Sequence, residues 1–315
     1  MGRYVVTRVL IALPVLFLVT ILVFTMIHLA PGDPVTNMVG EGVVDPATIA
    51  QLRAQLGLDR PVAVQYGIWL VHALHGDLGF SFRSHKAVAA AIGERLPMTI
   101  VLSVLSLMTA CAVAVPLGIL AAVRRNSGWD ILSSVAAAFG VALPPFWLGI
   151  LLIYVFAVRG HLLPPSGYAD PDSSLLAQGK YMILPTITLA SGYAAVVMRL
   201  ARSAMLEVLG EDYVRTARAK GLAAITVTGR HALRNAWLPI ITIVGLEFGR
   251  LLGGAVVTET IFALPGIGRL AVDAVLSRDY STLQAVALIM AMSLIAANLA
   301  ADVVYAALDP RVRYG

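Results

Sequence analysis

Glu211-Asp212-Tyr213-Val214-Arg215-Thr216-Ala217-Arg218-Ala219-Lys220-Gly221 is a polar, basic stretch between two long apolar runs. Its charge order is that of a short helix. Two acids open it, where the positive end of the helix dipole falls, and Lys220 closes it. Gly221 then supplies a C-terminal cap. Val214, Ala217 and Gly221 recur on one side and make a small, shallow face flanked by arginines. The polar interval as a whole runs from about Arg199 to Ala236, and Leu238-Pro239 closes it. A helix this charged, set between two membrane spans, cannot lie in hydrocarbon. It rests on the membrane surface or docks a partner.

The flanking runs set the fold class. Of 315 residues, 59% are hydrophobic and only 13% charged, with a mean hydropathy of +0.84, whereas soluble domains carry about 25% charge. Six segments, near 9–29, 97–122, 132–157, 182–203, 237–258 and 282–306, reach the ~20 apolar residues that a helix needs to cross a bilayer. The chain is therefore expected to be an all-α integral membrane protein of six spans. Residues 1–30 hold the first span, 31–96 a small helical domain outside the membrane, and 97–315 a core of five spans that includes 199–236. Arg3 and Arg8 precede the first run, but Ala30-Pro31-Gly32-Asp33-Pro34 is no signal-cleavage pattern, so this run reads as an uncleaved span. Cys111 is alone, which excludes an intrachain disulfide.

A net charge of +5 would suit nucleic acid, but the basic residues sit in short loops, which is a topology signal. With both ends inside, the inner segments 1–8, 123–131, 199–236 and 307–315 hold 13 of the 23 Lys and Arg residues. The outer segments hold nine over nearly twice the length. Both termini and the polar interval are thus expected in the cytoplasm.

Within 31–96, Asp45-Pro46 opens one helical pattern (Ile49, Leu52, Leu56, ending at Gly57), and a second runs from Pro61 to His75 and stops at Gly76. Pro116, and Pro144-Pro145 before Phe146-Trp147, interrupt the second and third spans. Kinked helices lining a pathway and bent helices that merely pack both satisfy this pattern. Gly245, Gly249 and Gly253 recur every four residues, a spacing that admits another helix closely. Glu247 and Arg250, three apart in the same span, can pair with each other or face a pathway. Asp302 lies near the inner end of the last span and is expected to reach the interface.

Several chemistries lack their residues. There is no Gly-x-x-x-x-Gly-Lys-Ser/Thr for a nucleotide, no His-Glu-x-x-His for zinc and no Gly-x-Ser-x-Gly for a serine nucleophile. His72, His75 and His85 have no fixed spacing to a carboxylate that would make them a metal site. An ion-coupled secondary transporter would place broken or charged helices in corresponding halves, and no such pair is present.

Tyr213-Val214-Arg215-Thr216-Ala217-Arg218-Ala219-Lys220-Gly221, followed by His231-Ala232-Leu233-Arg234-Asn235-Ala236, resembles the EAA loop of permease subunits of binding-protein-dependent ABC importers, in the dipeptide, oligopeptide and nickel branch. Arg215 stands where the wider family has Glu. Leu56-Gly57-Leu58-Asp59-Arg60-Pro61, Gly76-Asp77-Leu78-Gly79-Phe80-Ser81, Glu259-Thr260-Ile261-Phe262-Ala263-Leu264-Pro265-Gly266-Ile267-Gly268 and Ala307-Leu308-Asp309-Pro310-Arg311-Val312-Arg313 extend the resemblance to both ends of the chain. It implies the type I importer permease fold in a prokaryotic plasma (inner) membrane, with Tyr213 to Leu222 coupling the chain to an ATPase. It implies as partners a second related permease, two cytoplasmic ABC ATPase chains that use ATP and magnesium, an extracytoplasmic binding protein and the lipid bilayer, and no nucleic acid. This chain would bind no cofactor and catalyse nothing itself. The implied cargo is a dipeptide or oligopeptide, with a nickel complex or glutathione as alternatives.

Overall fold

Length and hydropathy dictate helices, because a chain in lipid must satisfy its backbone groups within each segment. The computed structural model describes residues 2–29, 53, 59–81, 83–170 and 172–308. Helix α1 (Gly2–Leu29) is followed by α2 (Val62–Leu74) and a two-residue hairpin of β1 (Phe80–Ser81) and β2 (Lys86–Ala87). Then come α3 (Val88–Val123), α4 (Gly128–Ala142), α5 (Pro145–Leu152), α6 (Leu175–Leu209), α7 (Asp212–Ala219), α8 (Leu233–Ile261), α9 (Ile267–Leu276) and α10 (Tyr280–Leu308). Among the described residues five helical stretches are long and apolar enough to cross a membrane: Val6–Met26, Val88–Val123, Leu175–Leu209, Ala224–Ile261 and Tyr280–Val304. The pattern at 45–57 lies outside the described residues, apart from Arg53.

The third expected span, 132–157, is not one straight helix. α4 and α5, the latter prolonged by a π-helical turn over Ile153–Arg159, meet at 101°. Leu143 (ψ 122°) and Pro144 (ψ 132°) are extended. A proline disfavours helical backbone in the residue before it and donates no hydrogen bond. Pro145 then occupies the first turn of α5, where its missing N–H costs nothing. The second span differs in the opposite sense, beginning nine residues before position 97. Val88 and Ile92 are buried against Ile267, Leu270 and Val286, so packing carries the helix straight through Pro97.

α6 is the central helix. Small residues let its neighbours approach closely. A Cβ on Gly118 of α3 would fall 2.6 Å from the Met198 carbonyl oxygen, and one on Gly140 of α4 would fall 2.9 Å from the Ala195 Cβ. Toward one end of the molecule the core holds Ala114, Val197, Ala201, Met205, Ala232 and Ala236; a second cluster joins Leu102, Leu184, Leu251, Phe262 and Leu264. α1 packs on α10, with Arg8 and Asp302 3.4 Å apart at their ends. α2 docks on α1 through a Thr20–Tyr66 hydroxyl pair (2.8 Å) and the rings of Phe24, Tyr66 and Trp69. The hairpin is tied to α10, where Asp279 accepts hydrogen bonds from both Ser81 and Thr282.

Candidate coupling surface

The polar stretch forms α7, and both its ends are built as its residues dictate. Leu222 N–H bonds the Ala217 carbonyl and Gly221 N–H bonds that of Arg218, closing a Schellman cap. The cap requires a left-handed residue, and Gly221 has φ +76°. Val214 (0% exposed) and Ala217 (7%) pack against Val227 and Leu209. Two residues of the shallow face, Val214 and Ala217, are thus turned inward, and the third, Gly221, stays exposed. The buried pair is apolar, so it seats the helix on the ends of its own spans. Arg215, Thr216, Arg218, Ala219, Lys220, Gly221 and Leu222 remain exposed, and a Cβ at Gly221 would meet nothing within 4 Å. Tyr213 is half-exposed, its hydroxyl accepting from Asn235 Nδ2 at 2.6 Å. The Arg215–Asp212 pair (3.4 Å) is too exposed to hold the helix.

Beneath α7 the chain turns directly into a spanning helix. After α7 the chain passes through a short helix, Ala224–Thr226, and a π-helical turn, Val227–Ala232, into α8. Ala232 and Ala236 are fully buried in the same cluster as Ala201 and Met205 of α6. Leu209, at the end of α6, packs against both this cluster and the one beneath α7, so α7 is seated on a core that α6 and α8 share.

The other candidates are spread apart. Phe146 and Trp147 are about half-exposed on α5, just after Pro144 and Pro145. On α8, Gly245 and Gly249 face the chain's own α10, where added Cβ atoms would lie 2.7 Å from the Ala301 Cβ and 2.9 Å from Leu294 Cδ1; Gly253 faces open space. Glu247 is buried and accepts from Arg250 Nη1 at 3.1 Å, while the rest of the guanidinium is exposed. Tyr193 donates to the Arg250 carbonyl (3.1 Å). No hydrogen bond or ion pair among the described residues joins the α5 set to the α8 set. His72 hydrogen-bonds Asp77 and His75 bonds the Val71 carbonyl. Among the described residues no three His, Cys, Asp or Glu side chains converge on a metal position.

Two polar nodes escaped the sequence reading. Glu259, fully buried, accepts from Thr99 Oγ1 (2.6 Å) and from the Arg269 N–H (3.0 Å), while Thr99 accepts the Ile267 N–H (2.9 Å). These bonds satisfy the first turn of α9. Gly266 is required there, because a Cβ would lie 2.1 Å from Glu259 Cδ. A lone carboxylate closing an apolar run just before Gly-Ile-Gly was the available signal. The second node is Asp130, whose two oxygens take Arg202 Nε (2.6 Å) and Nη2 (3.0 Å) and whose Oδ2 also takes the Asn126 N–H (2.9 Å). It binds α4 and the turn before it to α6. Nothing in the local sequence marks residues 72 positions apart as partners.

Spans packed round a central helix, with a capped polar helix seated on their ends, define a multi-pass membrane protein. Residues 114–314 match the model of the binding-protein-dependent transport system inner membrane component, and residues 1–103 match the N-terminal model of the same membrane component. The chain belongs to that family. It is 40% identical over 337 residues to the dipeptide transport system permease protein DppB of Escherichia coli K12, covering 100% of this chain and 99% of the relative. It is 43% identical over 314 residues to the glutathione transport system permease protein GsiC of E. coli O6:H1, covering both chains completely. Among solved structures, an inward-facing MetNI methionine ABC transporter aligns with a TM-score of 0.57 at 16% identity, over 69% of this chain and 96% of the other. At that identity it speaks for the fold alone.

Proposed function

We propose that this chain forms half of the membrane pathway of an ATP-driven importer of dipeptides and oligopeptides, and that α7 is the handle on which an ATPase acts. The observation that carries this reading is the division of α7 into a buried seat (Val214, Ala217) and an exposed rim (Arg215, Arg218, Lys220, Gly221, Leu222). Two cytoplasmic ATPase chains bind ATP and magnesium, and their closing and opening displaces α7. The shared core under it carries that motion to α6 and α8. A second related permease completes the pathway, and an extracytoplasmic binding protein delivers cargo. Both termini lie in the cytoplasm, in keeping with the excess of Lys and Arg on that side. The peptide assignment draws on the likeness to DppB. The likeness to GsiC supports a second reading, glutathione, itself a peptide.

Gly221→Asp tests the handle. The side chain has room within the chain, so the protein is expected to reach the membrane at normal levels while ATP-dependent uptake is lost. Unimpaired uptake by this variant would remove α7 from the mechanism. Uptake that collapses with an uncoupler yet survives ATP depletion would make the protein an ion-coupled transporter instead. Cargo is decided by measuring which ligand the cognate binding protein holds.

A further inference from the structure

Beside α7 lies a cavity of about 620 Å³ lined by Tyr213, Arg230, His231, Arg234, Trp237 and Ile241, with Asn235 and Leu238 completing the wall. Its two ends differ in chemistry. One carries Arg230 from the π-helical turn and Arg234 from the first turn of α8, with His231 beside them, all three lining the cavity. Both arginines are exposed, and no hydrogen bond or ion pair engages either guanidinium among the described residues. The other end is apolar, lined by Trp237 (41% exposed), Leu238 and Ile241. Arg234 to Ile241 spans about 10 Å along a helix at 1.5 Å per residue, which is the step from headgroups into the acyl region.

From this juxtaposition we infer that the cavity is a binding site for an anionic phospholipid of the leaflet that α7 faces. The phosphate sits on the two guanidiniums, which match its geometry through paired N–H donors. The first methylenes of an acyl chain lie along Trp237, Leu238 and Ile241. A carboxylate from a protein partner would use the cationic end and leave the apolar end unfilled. Charge alone therefore does not explain the cavity, whereas a molecule that is anionic at one end and apolar at the other fills both. Tyr213 joins this wall to α7 through its bond with Asn235, so an occupied site would brace the handle where it meets α8. The position at a membrane surface rests on the reading of 199–236 as an interfacial segment. Lipid binding itself needs no ATPase, so the test below is independent of the coupling mechanism.

The full chain in a neutral detergent is titrated with phosphatidylglycerol and, separately, with phosphatidylcholine, and retained lipid is counted by native mass spectrometry. Phosphatidylglycerol is expected to bind at least tenfold more tightly. Arg230→Gln/Arg234→Gln should weaken it about thirtyfold, at about a tenfold loss for each 1.4 kcal/mol and ~1 kcal/mol for each surface cation. Arg230→Lys/Arg234→Lys, which keeps the charge but not the paired donors, should bind more weakly than the natural chain and more tightly than the Gln pair, and serves as the folding control. Glycerol 3-phosphate and inorganic phosphate are expected not to compete. Equal retention of the two lipids, undiminished phosphatidylglycerol binding by the Gln pair, or displacement by either soluble phosphate would each overturn the inference. So would a photocrosslinker at position 234 that, in membranes, captures an ATPase chain in place of lipid.

Discussion

At Gly221 the backbone conformation, and not crowding, restricts what may stand there. Its φ of +76° costs an L-residue roughly 1–2 kcal/mol, while its surroundings are open. Gly221→Ala is therefore expected to fray the end of α7 by about 1 kcal/mol, visible as faster amide exchange at residues 219–222, with the spans undisturbed. The glycines of α8 behave differently. Gly245→Ala forces a new Cβ to within 2.7 Å of Ala301 and should cost about 1–3 kcal/mol by overpacking. Gly253→Ala meets no atom and should raise the thermal midpoint slightly, as Ala outranks Gly in a helix by up to ~1 kcal/mol. Matching midpoints for the two variants in detergent would refute this account of the packing. Asp130→Ala leaves Arg202 and the Asn126 N–H without their acceptor, so it should lower the midpoint, and Asp130→Glu should recover only part of the loss because the bidentate geometry is gone.

At the level of elements, the 101° turn between α4 and α5 depends on two adjacent residues held extended. Pro144→Ala/Pro145→Ala restores the missing donors and lifts the restriction on Leu143. Spin labels at positions 132 and 158 are then expected to move apart as the two helices approach one axis. An unchanged distance would mean that packing against α6 sets the bend and the prolines merely tolerate it. α9 is held by Glu259 in a comparable way. Glu259→Ala strands the Arg269 N–H and frees Thr99, a loss of about 2 kcal/mol if each hydrogen bond contributes about 1. Hydrogen exchange should rise over Ile267–Leu276 first, before the spanning helices respond.

On the scale of the whole molecule, the Arg8–Asp302 contact places the N-terminal end of α1 beside the C-terminal end of α10, as an even number of crossings demands. Reporter domains fused to each terminus should therefore report the same compartment, and the positive-inside bias predicts the cytoplasm. Reporters in opposite compartments would require that the bent α4–α5 pair enter and leave by one face.

Five of the six expected spans, the position of the polar helix and its glycine cap were legible in the sequence because each follows from local chemistry. A twenty-residue apolar run, a Lys or Arg cluster and a glycine after a basic turn carry their meaning within a few residues of themselves. The family resemblance was legible for the same reason, in contiguous strings. Contacts between distant segments decided the rest. Val214 and Ala217 were recognised as one face, but only Val227 and Leu209 determine that it points inward. Pro144-Pro145 announced an interruption and not its angle. The partners of Glu259 and Asp130 lie 160 and 72 residues away. Hydrophobic burial is non-directional, so apolar pattern alone selects which residues leave water and leaves open which neighbour each one meets. That choice belongs to the packed whole.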